Sequence, residues 1–182
     1  MVRDRQETSP VQPDDVDRFI AQRESETPEI DTEGMAIFGR IYRLATRIAP
    51  HMEALFARYG LERGEFDVLA TLQRAGAPYQ LTPTTLCASL MVSSGGLTYR
   101  LKRLERAGWI ERVPSKEDRR SLIVALTEAG YDLTRRAFEE DMKLENSWLA
   151  SLDPVERRAL ADLLRKLSHA VPVFGTEHDP PG

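Results

Sequence analysis

At Gly108 the spacing of apolar residues changes, and that change limits the fold more than any other feature of the chain. Before it, Leu97, Leu101 and Leu104 recur every three or four residues, the period of one helix face. After it come Trp109, Ile110 and Val113, then the polar stretch PSKEDRR, then Leu122, Ile123, Val124, Ala125 and Leu126. Two short apolar runs around a polar tip predict a β-hairpin. The rest punctuates as helix. Asp14 or Asp15 caps a helix to Glu26, ended by Pro28; Asp31 or Thr32 caps a longer one to Gly60, interrupted by Pro50. A third runs from about Gly64 to Ala75, and Thr82-Pro83 opens a short fourth to Leu90. Ser93 opens a fifth, stopped by Gly108. Beyond the hairpin, one helix follows Thr127 as far as Leu152, and Asp153-Pro154 starts a last one carrying Leu160, Leu163, Leu164 and Leu167.

A hairpin embedded in helices, after a short helix and a tight turn, is the layout of a winged helix-turn-helix. The fold class expected is mainly α with a small β-hairpin wing. The helices at both ends are long and separately amphipathic, and such surface on a single chain marks an interface. Residues 1–13 and 175–182 are polar and proline-bearing, and are expected to lack regular structure.

Charge is separated along the chain. From Thr98 to Arg120 there are eight basic and four acidic residues, net +4, although the whole chain is −4. On a helix turning about 100° per residue, Leu97, Leu101 and Leu104 form one stripe, and Gly95, Thr98, Tyr99, Lys102, Arg103 and Arg106 fall opposite. The cations therefore face outward together, as on a recognition helix entering the major groove of duplex DNA. Ser93, Ser94 and Gly95 begin that helix, where backbone amides favour phosphate. Lys116, Arg119 and Arg120 cluster at the hairpin tip, placed to reach the adjacent minor groove or its phosphates.

Other classes find little support. One cysteine, Cys87, excludes an intrachain disulfide framework and suits the cytoplasm. His51, His169 and His178 are scattered, so no metal spacing appears, and no nucleophile or phosphate-loop motif is present. The expectation is a chain that is no enzyme, holds no cofactor or metal, and has no membrane span.

With those residues in place, the chain resembles the MarR family of winged-helix transcriptional regulators. The wing pattern D-x-R-x-x-x-V-x-L-T-x-x-G is met at Asp118, Arg120, Val124, Leu126, Thr127 and Gly130. The resemblance implies a homodimer built from N- and C-terminal dimerisation helices. It also implies a palindromic operator and a repressor released by a small ligand. On it, 14–60 holds an extra helix and a dimerisation helix, 61–126 the DNA-binding domain, and 127–174 the C-terminal dimerisation helices. The stretches GEFDVLATLQRAGAPYQLTPTTL and SLMVSSGGLTYRLKRLERAGWIER are similar to the urate-responsive, PecS/HucR-like subgroup. That subgroup's pocket uses an aspartate, two arginines and a tryptophan. Asp67, Arg100 and Arg112 stand at matching positions, whereas the tryptophan's place is taken by Arg23 or Gln22. An added cation there favours a small effector more anionic than urate. Two other readings remain open: a winged-helix module that binds protein, and a redox-sensing regulator using the thiol of Cys87.

Overall fold

The computed structural model describes residues 12–90, 94–114 and 122–172, which fall into two compact units meeting at Arg63 and Gly64. Most of the segments expected to lack structure, 1–11 and 175–182, lie outside the described residues, as do residues 91–93.

The first unit is a helix pair, α1 (Asp15–Glu26) and α2 (Glu33–Ala57). Asp14 closes the start of α1 in a capping box: its Oδ1 accepts from the amides of Val16 and Asp17, and the Asp17 carboxylate accepts from the Asp14 amide. Arg40 of α2 reaches onto that cap, with Nε 3.0 Å from Asp14 Oδ2 and Nη2 2.7 Å from Asp17 Oδ1. Arg43 joins Asp15 beside it. Where the helices approach, Val16 is buried, and a Cβ at Gly39 would sit 3.2 Å from it. Pro50 does not interrupt the helix. It stands inside one continuous helix, so the turns on either side hold despite the missing donor. The helix also ends at Ala57, short of Gly60. There Gly60 adopts φ +70°, and the Leu61 amide donates back to Phe56 O, closing the end as a Schellman motif does.

The second unit begins within α3 (Arg63–Arg74) and continues through β1 (Gln80–Leu81), α4 (Pro83–Leu90), α5 (Ser94–Arg106), β2 (Ile110–Pro114), β3 (Leu122–Leu126), α6 (Glu128–Trp148) and α7 (Pro154–Ala170). The hairpin expected from the period change is β2–β3, antiparallel, with Arg112 opposite Val124. A third strand accompanies it. β1 pairs with β3 through Gln80–Ala125 and Leu81–Val124, giving the order β1-β3-β2. Just before β1, the Tyr79 ring lies 4.8 Å from that of Tyr131, and its carbonyl accepts from Leu126. The core takes Phe66, Val68, Leu69 and Leu72 from α3, Leu86 from α4, and Leu97, Leu101 and Leu104 from α5. Val124 from the sheet and Leu133 and Ala137 from α6 complete it. Each large aliphatic side chain buried there contributes about 1.5–3 kcal/mol.

The three elements meet at one junction. Thr127 caps α6 by accepting from the Gly130 amide, and its hydroxyl donates to Gly108 O at 2.8 Å. Its own amide donates to Trp109 O. A Cβ at Gly130 would lie 1.9 Å from Trp109 O, closer than any side chain allows. At the far end, Asp153 and Glu156 form a second capping box on α7, yet no residue of α7 is buried. Leu160, Leu163 and Leu164 stand exposed along it.

Two outcomes follow from this packing. Gly130→Ala should destabilise the fold by about 1–3 kcal/mol, because the obstacle is backbone rather than a movable side chain; urea denaturation measures it. The Arg40 guanidinium, with the Asp14 amide, holds the Asp17 carboxyl below its ordinary value of 3.8. A depressed folded pKa stabilises above the unfolded value and is lost as pH falls through that value and below it. Proteolysis of the α1–α2 connection should therefore be faster in Arg40→Ala than in wild type at neutral pH. The difference should close below about pH 3.8.

Candidate nucleic-acid interface

The site expected from the charge pattern is built on α5. Its three leucines are 1–3% exposed, which orients the helix without ambiguity. Gly95, Thr98, Tyr99, Lys102 and Arg106 are exposed on the other side. Tyr99 projects an aromatic ring, 58% exposed. Ser94 is the first residue of the helix. Ser93, Lys116, Arg119 and Arg120 lie outside the described residues.

Arg103 differs from its neighbours. It is half-buried, and its Nε lies 2.9 Å from Oε1 of Glu65, a carboxylate only 2% exposed. Its guanidinium carbon stands 6.0 Å from the Tyr99 ring centre. A buried carboxylate without a cation is strongly unfavourable, so this pair holds Arg103 in place. Sequence reasoning missed Glu65, although the signal was present. Glu65, Val68, Leu69 and Leu72 follow the i, i+3, i+4, i+7 spacing of a buried stripe.

The residues expected to hold an effector divide between the units. Asp67, Arg100 and Arg112 belong to the second unit and are each half-buried. Arg100 leaves α5 from the edge of the leucine stripe. A Cβ at Gly64 would lie 2.5 Å from its Cζ, so the guanidinium occupies space that only glycine leaves open. Gly64 and Asp67 are three residues apart on α3 and share a face, so Arg100 packs on the side that carries Asp67. Arg112, on β2, has Nε 3.2 Å from Glu105 Oε2. That is ion-pair distance without alignment: the Nε–H is buried and aims at no acceptor. Arg23 is in the first unit, on α1. It lines a groove of about 490 Å³ with Phe19, Gln22, Glu26 and Met35. Cys87 is a half-buried free thiol on α4.

Among the described residues, no cluster of three or more His, Cys, Asp or Glu side chains is placed to hold a metal. No described helix is long and apolar enough to cross a membrane.

The chain is similar to known proteins in sequence and fold. The MarR family model matches residues 59–121, the span from the end of α2 into the hairpin. The HTH-type transcriptional regulator PecS of Dickeya dadantii (strain 3937) is 37% identical over 153 residues, 84% of this chain and 92% of the relative. The transcriptional repressor MprA of Escherichia coli K12 is 29% identical over 132 residues, 68% and 74% of the two chains. Among solved structures, a mutant MarR from E. coli complexed with operator DNA aligns at TM-score 0.63 and 26% identity, covering 76% of this chain and 99% of that one. Sco3205 from Streptomyces coelicolor, in complex with DNA, aligns at TM-score 0.69 over 84% and 96% of the two chains. At 22% identity, its likeness is one of fold.

Proposed function

This chain belongs to the MarR family of winged-helix, DNA-binding transcription regulators, and from that premise we propose that it is an effector-released repressor acting as a homodimer on a palindromic operator. Regulators of this family bind DNA and are not enzymes.

In this reading 61–126 is the DNA-binding domain, and 14–60 with 127–174 supplies the dimerisation helices. The cytoplasm, where the operator is, is its place of work. The observation that carries the reading is the two-sidedness of α5. Its leucines are buried, while Tyr99, Lys102 and Arg106 stand in solvent on the opposite side. The reading also assigns DNA contacts to Gly95, Thr98 and Arg103 and, from the sequence, to Ser93, Ser94, Lys116, Arg119 and Arg120. The exposed leucines of α7 support the homodimer, because a second copy covers what one chain leaves in water. Two recognition helices then face half-sites about 34–36 Å apart.

The effector is a small anion held around Asp67, Arg100 and Arg112. Support comes from Arg112, whose buried Nε–H lacks an aligned acceptor, and from Arg100, which is turned in over Gly64. Arg100 shares α5 with the DNA-facing residues. An anion that draws on Arg100 moves the helix that grips DNA. A ligand shifts this equilibrium only by its preference for the released geometry.

Three measurements test the reading. Lys102→Ala should weaken duplex binding and lower the slope of log affinity against log salt by about one per protomer; unchanged affinity in both Lys102→Ala and Tyr99→Ala removes the recognition helix. Leu163→Asp should shift the protein to monomer in analytical ultracentrifugation and abolish tight operator binding. Urate and aromatic or polycarboxylate anions should release wild type from DNA. Arg100→Ala should need at least tenfold more anion, and Gly64→Ala should behave likewise while staying folded, because only a flexible side-chain end must move. A wild-type response from Arg100→Ala ends the pocket assignment.

A further inference from the structure

We propose that Glu105 couples the effector site to DNA: Arg112 masks its charge on the recognition helix, and an anion that takes Arg112 turns that charge against the operator. The inference rests on α5 being the recognition helix and on Arg112 meeting the anion.

Glu105 sits in the last turn of α5. It follows Lys102 by three residues and precedes Arg106 by one, so on the helix surface it borders the outward cations. A bare acid there opposes the attraction of that face for phosphate. Its Oε2 lies 3.2 Å from Nε of Arg112, and at the larger distance of a phosphate the two charges largely cancel. Arg112 comes from the inner side of the wing. It stands opposite Val124, which is buried, and two residues from Ile110, also buried, so it leaves the core face of β2. The pair is loosely made. Its side chains are 29% and 42% exposed, and an ion pair so open to water contributes little. The Nε–H of Arg112 is buried and aims at no acceptor. An anion with an oxygen in line with that N–H satisfies a donor that Glu105 leaves unsatisfied, and so displaces the carboxylate. Glu105 then remains on α5 as an uncompensated negative charge. Lys102, three residues earlier, is its neighbour on the helix, and a carboxylate that engages it withdraws it from phosphate. The same charge repels the DNA backbone over the ~8 Å that physiological ionic strength leaves unscreened. Arg100 moves the helix, whereas Glu105 changes its charge.

The test uses full-length protein and a duplex that wild type selects from a randomised pool, with affinity measured across salt concentrations. Arg112→Gln imitates the anion-bound state. It should bind about tenfold more weakly and lower the slope of log affinity against log salt by about one per protomer. Adding Glu105→Gln to it should restore both. Arg112→Lys, which still masks the acid, should recover most of the loss. Glu105→Gln alone should change affinity by less than about threefold, because the charge it removes is already masked. A mere change of net charge does not produce that non-additivity. An equal gain from Glu105→Gln in both backgrounds overturns the proposal, as does no gain in either. Should Arg112→Gln fail to fold, Arg112→Met, which lacks the buried donor, takes its place in the same cycle. Citrate and urate connect the cycle to release. An anion that frees wild type from the duplex should be needed at about tenfold or greater concentration to free Glu105→Gln, and equal release overturns the coupling. If neither anion frees wild type, the effector reading fails for both and the variant cycle decides the masking. Lys102→Ala separates the mask from the helix that carries it. If it weakens binding while the cycle is additive, only the mask fails. If it has no effect on binding, α5 is not the recognition helix.

Discussion

The second unit is organised around the contact between the start of α6 and the carbonyl of Trp109. Three consecutive elements converge there: the end of α5, the first residue of the hairpin and the cap of α6. Thr127 serves all three, capping α6, donating to Gly108 O and returning its amide to Trp109 O. Gly130 lets the helix come that close. The orientation of the hairpin relative to α5 is thus set by backbone hydrogen bonds within one turn of each element. This junction ties the base of the hairpin to the end of α5.

Polar groups inside the unit do the finer work. The leucines of α5 determine which side faces the core, but any apolar stripe would do that. The Glu65–Arg103 pair adds something a stripe lacks: a preferred plane for one guanidinium on the outer face. Arg100, one turn from the start of the leucine stripe, takes the opposite course and folds inward over Gly64. Neighbouring arginines on one helix are thereby assigned to different surfaces. What decides is the residue facing each: a carboxylate for Arg103, a missing side chain for Arg100.

Much of the fold was legible because its signals are local. The period change at Gly108, the capping residues Asp14 and Asp153, and the proline at the start of α4 each specify their element from within a few residues. The failures were those of distance. Gln80 and Leu81 carry no strand signal of their own; they pair because Ala125 and Val124 present an open edge and Tyr79 packs on Tyr131. Pro50 reads as a break, yet a helix as long as α2 has turns enough on both sides to continue through it. Glu65 reads as a surface acid, and only its place in the stripe of α3 betrays burial; its partner, 38 positions later, could not be named from spacing. Spacing likewise gave no sign that Glu105 stands at ion-pair distance from Arg112.

α7 carries a consequence of its own. A helix of 17 residues with none of them buried receives little from its own chain beyond a good cap. In proteins most of a helix's stability comes from packing its apolar face rather than from propensity. In the proposed homodimer its order would depend on how many molecules are present, and abundance would become a folding variable. A regulator that limits its own synthesis would thereby also limit the fraction of itself that is competent, steepening its response near the lowest copy numbers.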